Sequence, residues 1–504
     1  MDVSEAADAT GTNRVLLSVA AVLATLLYTI DSTIANVALP HMQGSLQATQ
    51  DQIAWVLTSY IVVSAISTPL SGWLGGRYGL RRVLTVSVAG FTIASMLCGL
   101  AESLTQMVLF RGLQGAFGAA LVPLSQVVLL EAFPPEAHGR ATGLWGMGVM
   151  VGPIIGPTLG GYLTDTLSWR WAFYINVPVG IVAYLGILLA LPKVRHRVGH
   201  RFDLTGFILL SLAIGLFQLW IDRGQTKDWF DSTEIVTEAL LSGLFFYMFV
   251  VHTWTRRHTF VDRTLLRDRN FVVAIGMMFA IGLAVISPSV LLPNFLQQLQ
   301  GYTPTQAGEL MAVRGVTSIF GMLVAGRLVG RVSARLLIGV GITLTAVSLW
   351  IMAQFSLDTP WQWVVWSGAV QGFGVPLAFV PLSVVAYATL MNEQRAEAGA
   401  LLTLMRNIGS SVGISTVVAL LARSTQTNQS YLAEHFTAFD TSRWQILGGL
   451  PGTNESTAAF MTELVRQAAA IGYSNSFFLL TVVAVVSLPL VLLLKTAHAG
   501  GPPR

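Results

Sequence analysis

Residues 146–161 read GMGVMVGPIIGPTLGG, and the spacing within that run frames the rest of the chain. Gly148, Gly152, Gly156 and Gly160 recur every fourth residue. Residues four apart share one face of a helix, so these glycines form a stripe bare of side chains along which a second helix can come to backbone contact. Pro153 and Pro157 interrupt the run and Gly161 closes it. Each proline removes a backbone donor and bends a helix, which a membrane span tolerates only where packed neighbours satisfy the freed carbonyls. One reading is a tightly packed structural helix. Four spaced glycines with two prolines are a much more specific signal than a lone GxxxG pair.

Composition agrees that the run lies in a membrane. Of 504 residues, 53% are hydrophobic and 11% charged, against roughly 25% charged in soluble domains, and mean hydropathy is +0.65. Apolar windows long enough for a helical span of about 20 residues begin at Val15 and end at Leu494; we count 14 of them. The expectation is an all-α membrane protein with both termini on one side. The first segment, MDVSEAADATGTNR, is acidic and lacks the basic flank of a signal peptide, so the first span is read as retained.

Lysine and arginine set the orientation. Arg14, Arg77, Arg81, Arg82, Arg140, Lys193, Arg195, Arg197, Arg201, Arg256, Arg257, Arg331, Arg335 and Arg395 fall in segments on the same side as the N-terminus, whereas the short loops opposite hold only Arg170, Arg223 and Lys227. Positive residues stay inside, so both termini are expected in the cytoplasm. The formal charge of +4 has this topological origin and implies no nucleic-acid partner. The single cysteine, Cys98, lies in an apolar run and reads as a small core residue.

The chain repeats itself. GWLGGRYGLRR from Gly72 is echoed by GRLVGRVSAR from Gly326, 254 residues on, and QGAFGAALVPLS from Gln114 by QGFGVPLAFVPLS from Gln371, 257 on. Two six-helix halves follow, residues 1–200 and 261–504, with an inserted helix pair at 201–260 and one long outside loop at 423–474. Parallel halves of this kind are a plan of secondary transporters.

With those motifs in hand, the chain resembles the 14-span drug:proton antiporter branch of the major facilitator superfamily. IDSTIANVALP from Ile30 resembles its first-helix signature, FRGLQGAFGAAL from Phe110 its fourth-helix arginine motif, and the Gly148 to Gly161 run its antiporter motif. INVPVGI from Ile175, IDRGQTKDWF from Ile221, LLPNFLQQLQGYT from Leu291 and AEHF in the last outside loop resemble inner-membrane pumps of tripartite efflux systems. The resemblance implies a major facilitator fold and proton-driven export of amphipathic drugs across a bacterial inner membrane, with no cofactor. It also implies a glycine ladder that seals half against half and rocks, and an outside loop that docks a periplasmic adaptor leading to an outer-membrane channel. The inner-loop motif is present in Gly72, Arg77, Gly79 and Arg81, but Gly76 stands where the family has an aspartate. The charge-relay role of that aspartate is therefore in question here.

Chemistry should sit where charge is expensive. Asp31 lies well inside the first span and Arg111 at comparable depth in the fourth. Burial favours the neutral acid and a neighbouring guanidinium favours the carboxylate, so a change of pairing between conformations would load and release a proton. The competing reading has Asp31 cap a helix break with Ser32, Thr33 and Asn36. Asp222, Arg314 and Arg406 are the other intramembrane charges; Asp222 reads as a solvated helix end, and Arg314 needs a partner from another helix. Gln114, Phe117, Gln371, Phe373 and Asn407 are candidates for an apolar substrate cavity with a few polar groups, though aromatics at helical spacing are more often core or lipid-facing.

Enzyme chemistry finds no support. None of the three lysines follows a glycine, so there is no Walker A loop. No HExxH run occurs, and the GxSxG string at Gly409 to Gly413 lies inside an apolar span rather than on the strand-to-helix turn of a nucleophile elbow, so no metal or catalytic site is expected. Two alternatives stay open: an exporter dedicated to one physiological compound, such as a fatty acid or siderophore, and a non-transporting membrane sensor.

Overall fold

A computed structural model describes residues 14–192, 202–256, 259–434 and 454–495. Lys193, Arg195, Arg197, Arg201, Arg257, Arg504, the boundary at residue 200 and the His-Phe of AEHF lie outside them. The described residues form 14 long helices and no strand. They are α1 Arg14–Ser45, α2 Gln50–Tyr78, α3 Leu80–Leu100, α4 Leu104–Ala132, α5 His138–Thr166, α6 Trp171–Ala190 and α7 Leu204–Arg223. After these come α8 Thr233–Thr255, α9 Arg269–Asn294, α10 Pro304–Leu328, α11 Ala334–Ala353, α12 Trp361–Ala388, α13 Asn392–Glu434 and α14 Asn454–Leu493.

Local chemistry sets the breaks. Thr49 and Gln52 form a reciprocal capping box at the start of α2, and Thr303 and Gln306 form the same box at α10, each satisfying orphan amides of a first turn. Gly79, at φ 88°, makes the sharp turn from α2 to α3 in the left-handed region that only glycine enters freely. The span containing the glycine-proline run bends by 41° between Gly156 and Thr158, on either side of Pro157.

Packing repeats with the sequence. In the first half α1 packs on α5, α2 on α4 and α3 on α6; in the second, α9 packs on α13, α10 on α12 and α11 on α14. The halves meet along two related seams, α5 against α10 and α13 against α2. The repeated arginine does the same work twice: Arg81 at the start of α3 donates to the Leu188 carbonyl near the end of α6 at 2.7 Å, and Arg335 at the start of α11 donates to the Leu494 carbonyl after α14 at 2.7 Å. α7 packs on α8, α2 and α13, so the inserted pair leans on both halves.

Two expectations about shape are corrected. The outside loop at 423–474, expected to hold an amphipathic helix at Thr457 to Ile471, is helix throughout its described parts, 423–434 and 454–474, as extensions of its flanking spans: α13 runs 43 residues and α14 40 residues, about 65 and 60 Å at 1.5 Å per residue, roughly twice the thickness of the hydrocarbon core. Apolar periodicity marks where a helix is membranous, and α13 and α14 simply continue past that boundary on polar sequence. Arg466 on α14 holds the extension to the body through the Leu299 carbonyl, at 3.0 and 3.2 Å.

The second correction concerns the glycine ladder. Gly148, Gly152, Gly156 and Gly160 face Val22, Thr29, Thr33 and Ile34 of α1, within the first half. Different glycines make the seam between halves. Gly139 and Gly143 of α5 meet Val329, Met322 and Gly326 beside α10, and Gly72 of α2 meets Ala396, Glu397 and Ala400 of α13. On the face carrying Arg81, Arg140 and Arg335 the halves share one apolar core, with Leu124, Trp145 and Ala325 in one cluster. Toward the opposite face each half keeps its own core, around Ile34, Met42 and Phe173 in the first and Leu292, Phe295 and Phe477 in the second. The buried core is thus continuous between the halves at the basic face and divided between them at the other.

Candidate functional site

The fourth-span arginine and first-span acid come together. Arg111 Nη1 donates to Asp31 Oδ2 at 2.6 Å, with side-chain exposures of 1% and 0%. The other carboxylate oxygen accepts from Gln114 Nε2 at 2.8 Å and Asn176 Nδ2 at 2.9 Å. Asn176 also reaches the Ser95 hydroxyl at 2.9 Å, which donates to the Phe173 carbonyl at 2.9 Å. Arg111 bonds Gln114 Oε1 at 2.8 Å and the Val56 carbonyl at 3.3 Å, and its guanidinium lies over the Tyr60 ring at 4.1 Å. A buried ion pair survives only when its remaining lone pairs and donors are met. Here α1, α2, α3, α4 and α6 each contribute a group that meets them.

These contacts tell against the capping alternative for Asp31, because Ser32, Thr33 and Asn36 bond backbone carbonyls of α1 and none reaches the carboxylate. Asn176, Ser95 and Tyr60 escaped the sequence reading: nothing in their spacing says which face of α6, α3 or α2 looks inward. The one signal is that Asn176 lies in α6 at the head of a run, to Ala190, that is otherwise almost wholly apolar.

The remaining candidates scatter. Gln114 belongs to the acid's network, and Gln371 is 0% exposed, so neither lines an open cavity here. Phe117 lies against Gly90 of α3, inside its own half, while Phe373 and Asn407 are half-buried. Asp222 is exposed and accepts a hydrogen bond from the Thr58 hydroxyl; its neighbour Arg223 pairs with Glu238 at 3.2 Å and Glu234 at 2.5 Å, joining the inserted helices where α7 ends and α8 begins. Arg314 finds Ser289 and the Val285 carbonyl rather than a carboxylate. Arg77 stacks on Trp73 at 5.4 Å. A second buried knot, in which Trp145 Nε1 donates to Thr25 and Ser125 at 2.8 and 2.9 Å, ties α5 to α1 and α4 nearer the basic face.

Two repeated helical bundles that share a core at one membrane face and part at the other, with an ion pair sealed inside one of them, define a secondary transporter. The profile of the Major Facilitator Superfamily matches residues 21–287 and 272–433, and the chain belongs to that family. It is 34% identical over 493 residues to the fatty acid resistance protein FarB of Neisseria gonorrhoeae, covering 95% of this chain and 96% of the relative. It is 33% identical over 497 residues to the multidrug export protein EmrB of Escherichia coli K12, covering 97% of each. Among solved structures, the human organic anion transporter MFSD10 superposes with a TM-score of 0.59 at 14% identity over 94% of this chain and 98% of that one. The proton:xylose symporter XylE gives 0.58 at 14% identity over 93% and 94%. At that identity the two structures speak for the fold alone.

Proposed function

We propose that this protein exports amphipathic drugs and other toxic hydrophobic compounds across the bacterial inner membrane in exchange for protons. The observation that carries the reading is Asp31, an acid closed to solvent in a membrane span and held by Arg111, Gln114 and Asn176. Protonation would cancel the attraction to Arg111 while leaving the arginine Gln114 and the Val56 carbonyl. Because α1 carries the acid and packs along the α5 glycine ladder, a change at Asp31 acts directly on the helix that also forms a seam with α10. The relatives' names, one for fatty acid resistance and one for multidrug export, support export.

With the arginine-rich face in the cytoplasm, this conformation opens to the outside, and the long α13–α14 extension projects there. In this reading the extension meets a periplasmic adaptor of the EmrA type, which passes substrate to an outer-membrane channel of the TolC type. The energy source is the proton gradient, with no cofactor. Inverted vesicles given an imposed pH gradient test the proposal. Wild-type protein should accumulate a neutral amphipathic dye until a protonophore is added, and accumulation that ignores the protonophore defeats it.

A further inference from the structure

The two halves carry different charge at matching depth. In the first, Arg111 of α4 is neutralised by Asp31 of α1 and covers Tyr60 of α2. The repeat that aligns Gly72 with Gly326 carries Tyr60 onto Arg314, and the one that aligns Gln114 with Gln371 carries Arg111 onto Gly368. A Cβ at Gly368 would lie 3.5 Å from the Cβ of Arg314, so the arginine stem covers the place its counterpart leaves bare. Its head reaches α9, the counterpart of α1, through the Val285 carbonyl at 2.8 Å and the Ser289 hydroxyl at 3.0 Å. No acid waits there: residues 269–308 contain neither aspartate nor glutamate.

Arg406 of α13 is a second cation in the same half. Its guanidinium donates a hydrogen bond to no described residue, and the groups within electrostatic reach of it are the phenols of Tyr28 in α1 and Tyr387 in α12. Tyr28 belongs to the first half and Tyr387 to the second. The Arg406 backbone carbonyl lies against Gly282 of α9, one turn from where Arg314 docks. Between Leu310 and Asn392 the sole acid is Asp358, in the loop joining α11 to α12. Two guanidiniums in a membrane span without a carboxylate are costly unless a ligand or solvent-filled gap offsets them.

We propose that Arg406, assisted by Arg314, binds the anionic head of an amphipathic organic acid, a carboxylate whose two oxygens match the guanidinium fork. That such an anion is cargo rests on the export reading; that it binds does not. Within the first half, the Tyr28 ring is 5.8 Å from Tyr60 and Tyr60 lies 4.1 Å beneath Arg111, so an aromatic pair leads from α1 to the proton-sensitive pair.

The test titrates the full-length protein in lipid nanodiscs with decanoate, decanol and decyltrimethylammonium, after subtracting binding to empty discs. Wild type should bind decanoate at least tenfold more tightly than decanol. Arg406→Gln should erase that preference without changing decanol affinity, and Arg406→Lys should keep part of it. Equal wild-type affinity for decanoate and decanol overturns the proposal, and this comparison needs no variant to fold. A preference that survives Arg406→Gln also overturns it, as does a variant that weakens all three ligands alike. Dye accumulation in inverted vesicles decides the export reading separately: failure there beside intact decanoate binding removes the cargo and leaves the site.

Discussion

Asp31 accepts from Arg111 at 2.6 Å, and Gln114 bonds both members of the pair, at 2.8 Å each. A bridging amide of this kind keeps the acid and base in register when the charge between them changes. Asp31→Asn approximates the protonated state and leaves a buried guanidinium without its counter-charge, a loss of about 3–5 kcal/mol in comparable pairs. The purified variant should unfold at lower temperature, and its vesicles should lose gradient-driven efflux. Adding Arg111→Gln should restore part of the stability and none of the transport. An Asp31→Asn protein that pumps like wild type would end the coupling role.

The ladder on α5 gives a graded steric prediction. A Cβ at Gly152 would sit 2.7 Å from the backbone of Thr29, one at Gly148 2.9 Å from a Val22 methyl, and one at Gly161 4.0 Å from its nearest neighbour. Gly152→Ala should therefore push α1 from α5 and cost about 1–3 kcal/mol, as overpacking does, while Gly161→Ala should be near neutral. At Gly156 the obstacles are Oγ1 and, at 2.9 Å, Cβ of Thr33, so Thr33→Ala, which keeps the Cβ, should rescue Gly156→Ala only in part, and no single side-chain deletion should rescue Gly152→Ala. Thermal unfolding of the purified set checks the order.

How much of this was legible beforehand follows from the same residues. A period of four showed that Gly148 to Gly160 share a face. It could not show that the face meets α1, because spacing fixes direction around one axis and says nothing about the neighbour. Gly139 and Gly143 carry the same spacing and meet α10. Asp31 and Arg111 were legible because a charge in a span is rare enough to announce itself, whereas Asn176 and Ser95 are ordinary polar residues whose role appears only when five helices converge. The repeat was read from two short echoes, and the paired Arg81 and Arg335 contacts are its structural form.

Those paired contacts make a symmetric prediction. Arg81 and Arg335 each donate to a carbonyl in the last turn of a half's final helix or just beyond it, acceptors that the helix itself leaves open. Either change to alanine should destabilise its own half by about 1.5–3 kcal/mol, the range for a hydrogen bond to a charged group. Proteolysis of the purified variants should then begin at the end of α6 for Arg81→Ala and at the end of α14 for Arg335→Ala. Identical cleavage patterns would show that the contacts are incidental.

The seam can be locked. A Cβ at Gly139 would lie 2.6 Å from the Val329 Cβ, and a disulfide needs about 3.8 Å, a separation reached by a small parting of α5 from α10. Cys98 is buried, 0% exposed, so the native thiol leaves a quiet background. Gly139→Cys with Val329→Cys should cross-link on mild oxidation, hold the basic face shut and stop efflux until a reductant is added. Cross-linking without loss of efflux would mean that this face does not open during transport.

Gln114 and Gln371 occupy matching places in the repeat and should respond in opposite ways to the same substitution. Gln114 donates to Asp31 and accepts from Arg111, so leucine there strands two buried charges. In the second half the counterparts of that acid and base are absent, and both amide atoms of Gln371 lack a partner among the described residues. Burying an amide without a protein partner costs about 1–3 kcal/mol, and an apolar side chain of similar volume escapes that cost. Gln371→Leu should therefore leave the melting temperature unchanged or raise it, and Gln114→Leu should lower it and abolish efflux. Equal destabilisation by the two changes would mean that Gln371 has a bonding role in another conformation of the cycle, and the second half would then need a polar network of its own.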